Sequence, residues 1–217
     1  MYKGVFEGKK VNSLNKRILI LGESHHDDDE NDDFTTQSVL GSYKHNPTEA
    51  KYKFFWKIAN SFGFYERCVD DEFHHFWDYV YFGNYIDSIC GIKTSKAKHL
   101  ANKNRKKYND DLFQFINEND IEYVFVFSRL VYEKMPSIDK KHNKEWMGNV
   151  NNQDLFVANK RDWISKCEYK RNCEHKYTTI ELNHDLVVYN MRHPSAKCGF
   201  NAENYVEVLS SVFKEII

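Results

Sequence analysis

Three prolines and nine glycines in 217 residues leave little material for flexible linkers. The formal net charge is −1, so no excess of one sign names a partner. No run of 18 apolar residues occurs, and the opening MYKGVFEGKK has no hydrophobic signal core. These absences predict a cytoplasmic protein with no membrane partner, a monomer, and one domain over residues 1–217. Cys68, Cys90, Cys167, Cys173 and Cys198 are scattered and odd in number, which argues against a disulfide framework. The one close group, KCEYKRNCEH, spaces Cys167 and Cys173 too widely for a zinc knuckle and has no second pair.

What the chain has in quantity is aromatic residues, at 16%. KRILIL at 16–21 is a buried strand stopped by Gly22. Phe34-Thr35-Thr36 opens a helix with Thr35 as its N-cap. Residues 48–62 form a second helix, entered after Pro47 and stopped at Gly63. Tyr79 to Phe82 is a strand closed by Gly83 and Asn84. Residues 93–107 hold seven Lys/Arg and no acid, and read as a loop. Asn109 caps a helix that turns Leu112, Phe113, Phe115 and Ile116 inward. IEYVFVF at 121–127 is a strand ending at Ser128, and the short helix RLVYEKM stops before Pro136. Residues 177–182 and 186–190 read as two strands. From Asn201, the residues Tyr205, Val208, Leu209, Val212, Phe213 and Ile216 share one helical face.

Strands alternating with helices predict an α/β fold, a three-layer α/β/α arrangement with a mainly parallel central sheet. Ligands in such sheets bind beyond the carboxyl ends of the strands. That rule collects Glu23, Ser24, His25 and His26, then Asn84 and Tyr85, then Ser128 and Arg129, then Arg192, His193, Pro194 and Ser195. Loops are polar in any protein, so each residue alone also has a plainer role as a cap, a core group or a strand terminator.

Three chemistries compete for the stretch ILILGESHH and the six acids within residues 27–33. A metal site would use His25, His26 and the aspartates, but adjacent histidines in an extended loop point apart, and no third ligand is fixed. No metal or other cofactor is therefore expected. A nucleophile site resembles the SGNH esterases, with Ser24 attacking and His193 taking its proton. There Asn190 stands three residues before His193, where that family has an acid.

The third reading spans most of residues 16–213. GESHH after the first strand, Phe34 after the acidic stretch, VYFGN on the second strand, IEYVFVFSRLVYEKMP and VVYNMRHPS resemble the ordered motifs of the uracil-DNA glycosylase superfamily, above all its bacterial branches. Those motifs include GQDPYH or GEAPG, ITN and HPS. The resemblance implies a uracil-DNA glycosylase-like fold and hydrolysis of the bond between sugar and a flipped-out, deaminated base. It implies Glu23 and His193 as catalytic residues, the acid on water or the cationic sugar and the imidazole on the leaving base. Phe34 would stack on the base and Asn84 would read its edge. Ser195 and Arg192 would hold phosphate. DNA is the implied partner, with Lys103, Arg105, Lys106 and Lys107 in the basic segment as contacts. The motif prolines are absent here, and Ser24 replaces the aspartate of GQDPYH. No N-terminal cysteine pair accompanies Cys90, so no iron–sulfur cluster is expected. A superfamily member that binds nucleic acid or nucleotide without cutting it is the non-enzymatic alternative.

Overall fold

The computed structural model describes residues 4–25, 36–45, 52–65, 76–88, 90, 94–136, 153–159, 162–195 and 200–216. Seven strands form one sheet: β1 (Phe6–Glu7), β2 (Arg17–Gly22), β3 (Tyr81–Asn84), β4 (Ile121–Val126), β5 (Gln153–Asn159), β6 (Asp162–Tyr169) and β7 (Leu186–Met191). Among the described residues six α-helices accompany them: α1 (Thr36–His45), α2 (Lys53–Ser61), α3 (Thr94–Lys103), α4 (Arg105–Glu118), α5 (Arg129–Lys134) and α6 (Glu203–Ile216). The strand order is β1-β3-β2-β4-β7-β6-β5. The four central strands run parallel, while β1 against β3, β6 against β7 and β5 against β6 are antiparallel. The fold is α/β with a mixed sheet, in place of the mainly parallel sheet expected from the sequence.

The run ILIL explains why β2 lies in the middle. Ile18, Leu19, Ile20 and Leu21 are all at most 1% exposed. Side chains alternate across a strand, so both faces of β2 are covered. Ile18 and Ile20 pack with residues of α1, α2 and α6, and Leu19 and Leu21 with residues of α3, α4 and α5. The first of these faces takes most of the aromatic side chains. Phe62 stacks on Phe76 at 4.7 Å, and the edges of Trp77 and Phe82 meet Phe55 at 5.5 Å. Offset and edge-on rings of this kind add about 0.5–1.5 kcal/mol per pair beyond their area burial. Among the described residues, no helix is long and apolar enough to cross a membrane.

Several local expectations are corrected. The basic segment is not a loop: residues 94–107 form α3 and the first turn of α4. Its buried stripe is only Ala97 and Ala101, with Leu100 partly covered, too small to stand out against seven cations. Its acids lie just beyond it in sequence. Lys106 pairs with Asp110 at 2.6 Å and Lys107 with Asp111 at 2.9 Å, one helical turn apart. Asn109 is not a cap but a fully buried residue inside α4. Its amide donates to the carbonyls of Lys134 and Tyr177, both at 3.1 Å, and accepts from the Tyr85 hydroxyl at 2.8 Å. Residues 177–182 do not form a strand between them. Side chains of α4 hold that segment: Asp110 accepts from the Thr179 backbone N–H at 2.6 Å, and Asn117 donates to the Glu181 carbonyl at 2.7 Å. The strand beside β7 is β6, whose charged residues Lys166 and Glu168 alternate with buried Ser165, Cys167 and Tyr169.

The group Cys167, Cys173 and His175 belongs to this packing. His175 is 6% exposed and sits edge-on to Phe113 and Tyr169 at 5.6 and 5.3 Å. Burial pushes its imidazole down to about 4, and burial pushes the Cys167 thiol up to about 12. A histidine depressed in the folded state is protonated first in the unfolded chain. The stability it contributes is present at neutral pH and is lost as pH falls from about 6.5 towards 4, by up to about 3 kcal/mol. Thermal melts at pH 7 and pH 4.5 check this. His175→Phe is expected to lose less stability than the wild type across that interval, and an equal loss would contradict the assignment.

Candidate functional site

Gly22, the last residue of β2, is in register with Asn84, the last residue of β3. Beyond this pair the two chains stay bonded. The Tyr85 N–H donates to the Gly22 carbonyl at 3.1 Å, Ile86 to Glu23 at 3.0 Å and Cys90 to His25 at 2.8 Å. On the other side Phe127 donates to Leu21 at 3.0 Å. The segment Gly22–His25 has no proline, and these backbone bonds fix it instead. Gly22 is required by a close approach: a Cβ there would run into Asn84 Oδ1 and touch the Phe82 ring.

The strand ends frame a cleft of about 230 Å³. Its lining brings together Glu23, Asn84, His193 and Ser195 from three separate sequence motifs, with Ser24, His25, Val39, Phe54, Phe55 and Phe82 around them. Glu23 Oε2 accepts a hydrogen bond from the Ser128 hydroxyl at 2.7 Å, and Ser128 Oγ in turn accepts from the Val131 N–H as the N-cap of α5. The Asn84 amide nitrogen lies 3.2 Å from His25 Nε2, which also lies 3.0 Å from Thr36 Oγ1. With Oδ1 against Gly22 and Nδ2 at His25, the amide is held in one orientation.

His193 is set from two sides. Its ring packs on Phe54 at 5.3 Å, and its Nδ1 accepts the Ser195 backbone N–H at 3.1 Å. A backbone N–H can only donate, so Nδ1 is the acceptor in this contact and Nε2 is the nitrogen placed to carry the ring hydrogen. The turn itself is pinned by Lys57, whose ammonium donates to the Pro194 carbonyl at 2.7 Å. Burial, and then the neighbouring Lys53, hold the Lys57 ammonium below its ordinary value.

The remaining expected site residues fall elsewhere. Phe34, His26 and the acidic run 27–33 lie outside the described residues. Arg192 directly follows β7 but does not line the cleft. Arg105 is committed to structure: it donates to the carbonyls of Lys134 at 2.8 Å and Met135 at 3.1 Å, and its guanidinium covers the Tyr177 ring at 3.6 Å. Lys103 ends α3, and none of Lys103, Arg105, Lys106 and Lys107 lines the cleft. Ser24 is 9% exposed and shares a hydrogen bond with the Cys90 thiol, which burial holds above its ordinary value. Among the described residues, no group of three His, Cys, Asp or Glu is placed to hold a metal ion.

Phe54, Thr36 and Lys57 are the site residues that sequence reasoning passed over, whereas Ser128 was collected at a strand end without its role beside Glu23. The signal for Phe54 was the run FFW, wider than one buried face of a helix, so that one ring is left to face a cleft. No known protein family's model matches the chain, and no curated protein matches it either.

Two substitutions test the scaffold. Gly22→Ala is expected to displace Asn84 and cost about 1–3 kcal/mol by overpacking. Ser128→Ala removes both the cap of α5 and the partner of Glu23, at a cost of about 1–2 kcal/mol. Urea unfolding measures both, and wild-type stability in either variant would refute the corresponding contact.

Proposed function

We propose that the cleft receives one flipped-out, deaminated nucleobase and that the protein is a uracil-DNA glycosylase-like N-glycosidase. The observation that carries the reading is that Glu23, Asn84 and the pair His193 and Ser195, drawn from three different motifs, line one cleft. Its volume falls below the range of about 300–1,000 Å³ usual for drug-sized ligands and suits a single small ring system. Helices on both faces of the sheet agree with the three-layer α/β/α arrangement of such enzymes, and the antiparallel β6 and β5 are a departure from a mainly parallel sheet.

In this reading His193 donates from Nε2 to the oxygen on which negative charge develops as the base departs. A neutral donor suits that role, because it strengthens its bond to the anion without a proton having to be supplied first. Asn84 offers its remaining amide hydrogen to a carbonyl on the base. Glu23, oriented by Ser128, faces the cationic sugar or the attacking water. Phe54 takes the stacking role that the sequence assigned to Phe34. Ser195 and Arg192 hold the flanking phosphate, the hydroxyl by a hydrogen bond and the guanidinium by charge. DNA is the partner, and the cytoplasm of a single-domain monomer is the setting.

The esterase reading is weaker on one specific observation. A histidine that activates serine must accept at one nitrogen and donate from the other to a buried acid. Here Nδ1 already accepts from Ser195, which reverses that polarity, and the Ser24 hydroxyl is engaged with Cys90.

The test is base release. Single- and double-stranded DNA carrying uracil, hypoxanthine, xanthine or a methylated base is incubated with the protein, and alkali reveals abasic sites. Strand breaks are expected with at least one deaminated base, uracil first. Glu23→Ala and His193→Ala should each slow the reaction by about 10²-fold or more. Asn84→Asp should weaken uracil selection by replacing a donor with an acceptor. Binding without release that depends on Asn84 would favour the non-enzymatic member. Robust p-nitrophenyl ester hydrolysis lost only in Ser24→Ala would favour the esterase.

A further inference from the structure

A second cleft, of about 340 Å³, lies along the outer side of α2 and the start of α6. Trp56, Lys57, Tyr65, Phe200 and Glu203 contribute to its lining. The two clefts share helix α2, though no lining residue. Phe54 and Phe55 of α2 line the first, while Trp56 and Lys57 of the same helix line the second. Lys57 joins them directly: its ammonium binds the carbonyl of Pro194, between His193 and Ser195, and lies 5.8 Å from the Phe200 ring.

Two features, one in this cleft and one on α2 at its edge, are not explained by packing. Tyr65 and Tyr177 are the large hydrophobic residues left exposed among the described residues, at 56% and 40%. The Tyr177 ring is covered by the Arg105 guanidinium at 3.6 Å, whereas among the described residues no ring or cation covers Tyr65. Lys53 and Lys57 sit one turn apart on α2 as like charges, and among the described residues neither is paired with a carboxylate. Like charges held together without a counter-ion are unfavourable unless an anion joins them. An open aromatic face beside paired ammonium groups is the combination that binds single-stranded nucleic acid, the ring stacking on a base and the cations tracking the backbone.

Resting on the base-pocket reading, we propose that this second cleft holds the nucleotide next to the one in the first, so that the ligand is a single-stranded segment of nucleic acid. The adjacent base stacks on Tyr65, with Trp56 and Phe200 as its apolar surround. The phosphate between the two nucleotides lies at Lys57 and Lys53. Glu203 also lines the cleft and repels phosphate, which assigns the backbone to the lysine side. Lys57 keeps two ammonium hydrogens for this purpose while it holds Pro194.

The experiment compares binding of two probes to the full chain by fluorescence anisotropy, with the mononucleotide dUMP read by competition. The longer probe is a labelled thymidine pentanucleotide with one central 2′-fluorinated deoxyuridine, whose glycosidic bond resists cleavage. Tyr65→Ala is expected to weaken the pentanucleotide about tenfold or more and to leave dUMP unchanged. Lys53→Gln, an exposed change with no hydrogen bond to lose, is expected to reduce the salt dependence of pentanucleotide binding by about one phosphate. Equal affinity of Tyr65→Ala and wild type for the pentanucleotide overturns the inference, as does equal loss with dUMP. If wild-type protein releases uracil while Tyr65→Ala binds normally, the second cleft fails and the first stands. Pentanucleotide binding that depends on Tyr65, without release of any base, keeps the second cleft and removes the hydrolysis. No binding of either probe overturns both.

Discussion

The site depends on the register of β2 against its two neighbours. Leu21 pairs with Gly83 on one side and Val126 on the other, so three parallel strands end at one level. Backbone bonds then continue past the strand ends, from Tyr85, Ile86, Cys90 and Phe127 back to residues 21–25. A slip of one residue would turn the buried leucines and isoleucines of β2 to the wrong helices and carry Glu23 away from Ser128. Hydrophobic burial on both faces of β2 therefore sets the position of a carboxylate that is itself outside the core. Gly22 is the point where this constraint is tightest, because Asn84 occupies the space a side chain would need.

Much of the arrangement was legible where hydrophobic runs are long and end abruptly. β2, β4 and α6 were readable because ILIL, IEYVFV and the 3- and 4-residue steps from Tyr205 to Ile216 leave little choice of period. The convergence of Glu23, Asn84, His193 and Ser195 followed from the ends of β2, β3 and β7. The rest was hidden where polar contacts decide the conformation. Asn109 has the residue type of a cap, yet it sits inside α4 because three separate segments supply its hydrogen bonds. Residues 177–182 have strand-forming side chains, yet Asp110 and Asn117 of α4 hold their backbone. The basic segment was readable as a loop only while its counter-charges at Asp110 and Asp111 were left out of the window. Partners that distant in space, or just past a boundary, leave no local signature.

The side chains of the cleft are ordered by pairs, each of which fixes a polarity. Ser128 donates to Glu23, so the carboxylate acts as an acceptor on that side. Ser195 donates to His193 Nδ1, so the imidazole offers Nε2 as a donor. Asn84 sits between His25 and Gly22, which sets which end of its amide faces which neighbour. On the proposed function, a site built this way suits a neutral ligand that presents carbonyl oxygens, with little rearrangement as charge appears on one of them. The same polarity is what separates it from a serine nucleophile with its base.

The polarity of His193 is therefore the most direct point of contact between this account and experiment. ¹⁵N NMR of the imidazole and side-chain amide resonances reads it without any assumption about turnover. At neutral pH the account predicts a His193 ring with its proton on Nε2 and none on Nδ1. It further predicts that adding free uracil shifts His193 Nε2 and Asn84 Nδ2 together. A ring protonated at Nδ1, or His193 and Asn84 resonances that do not respond to uracil, would contradict it.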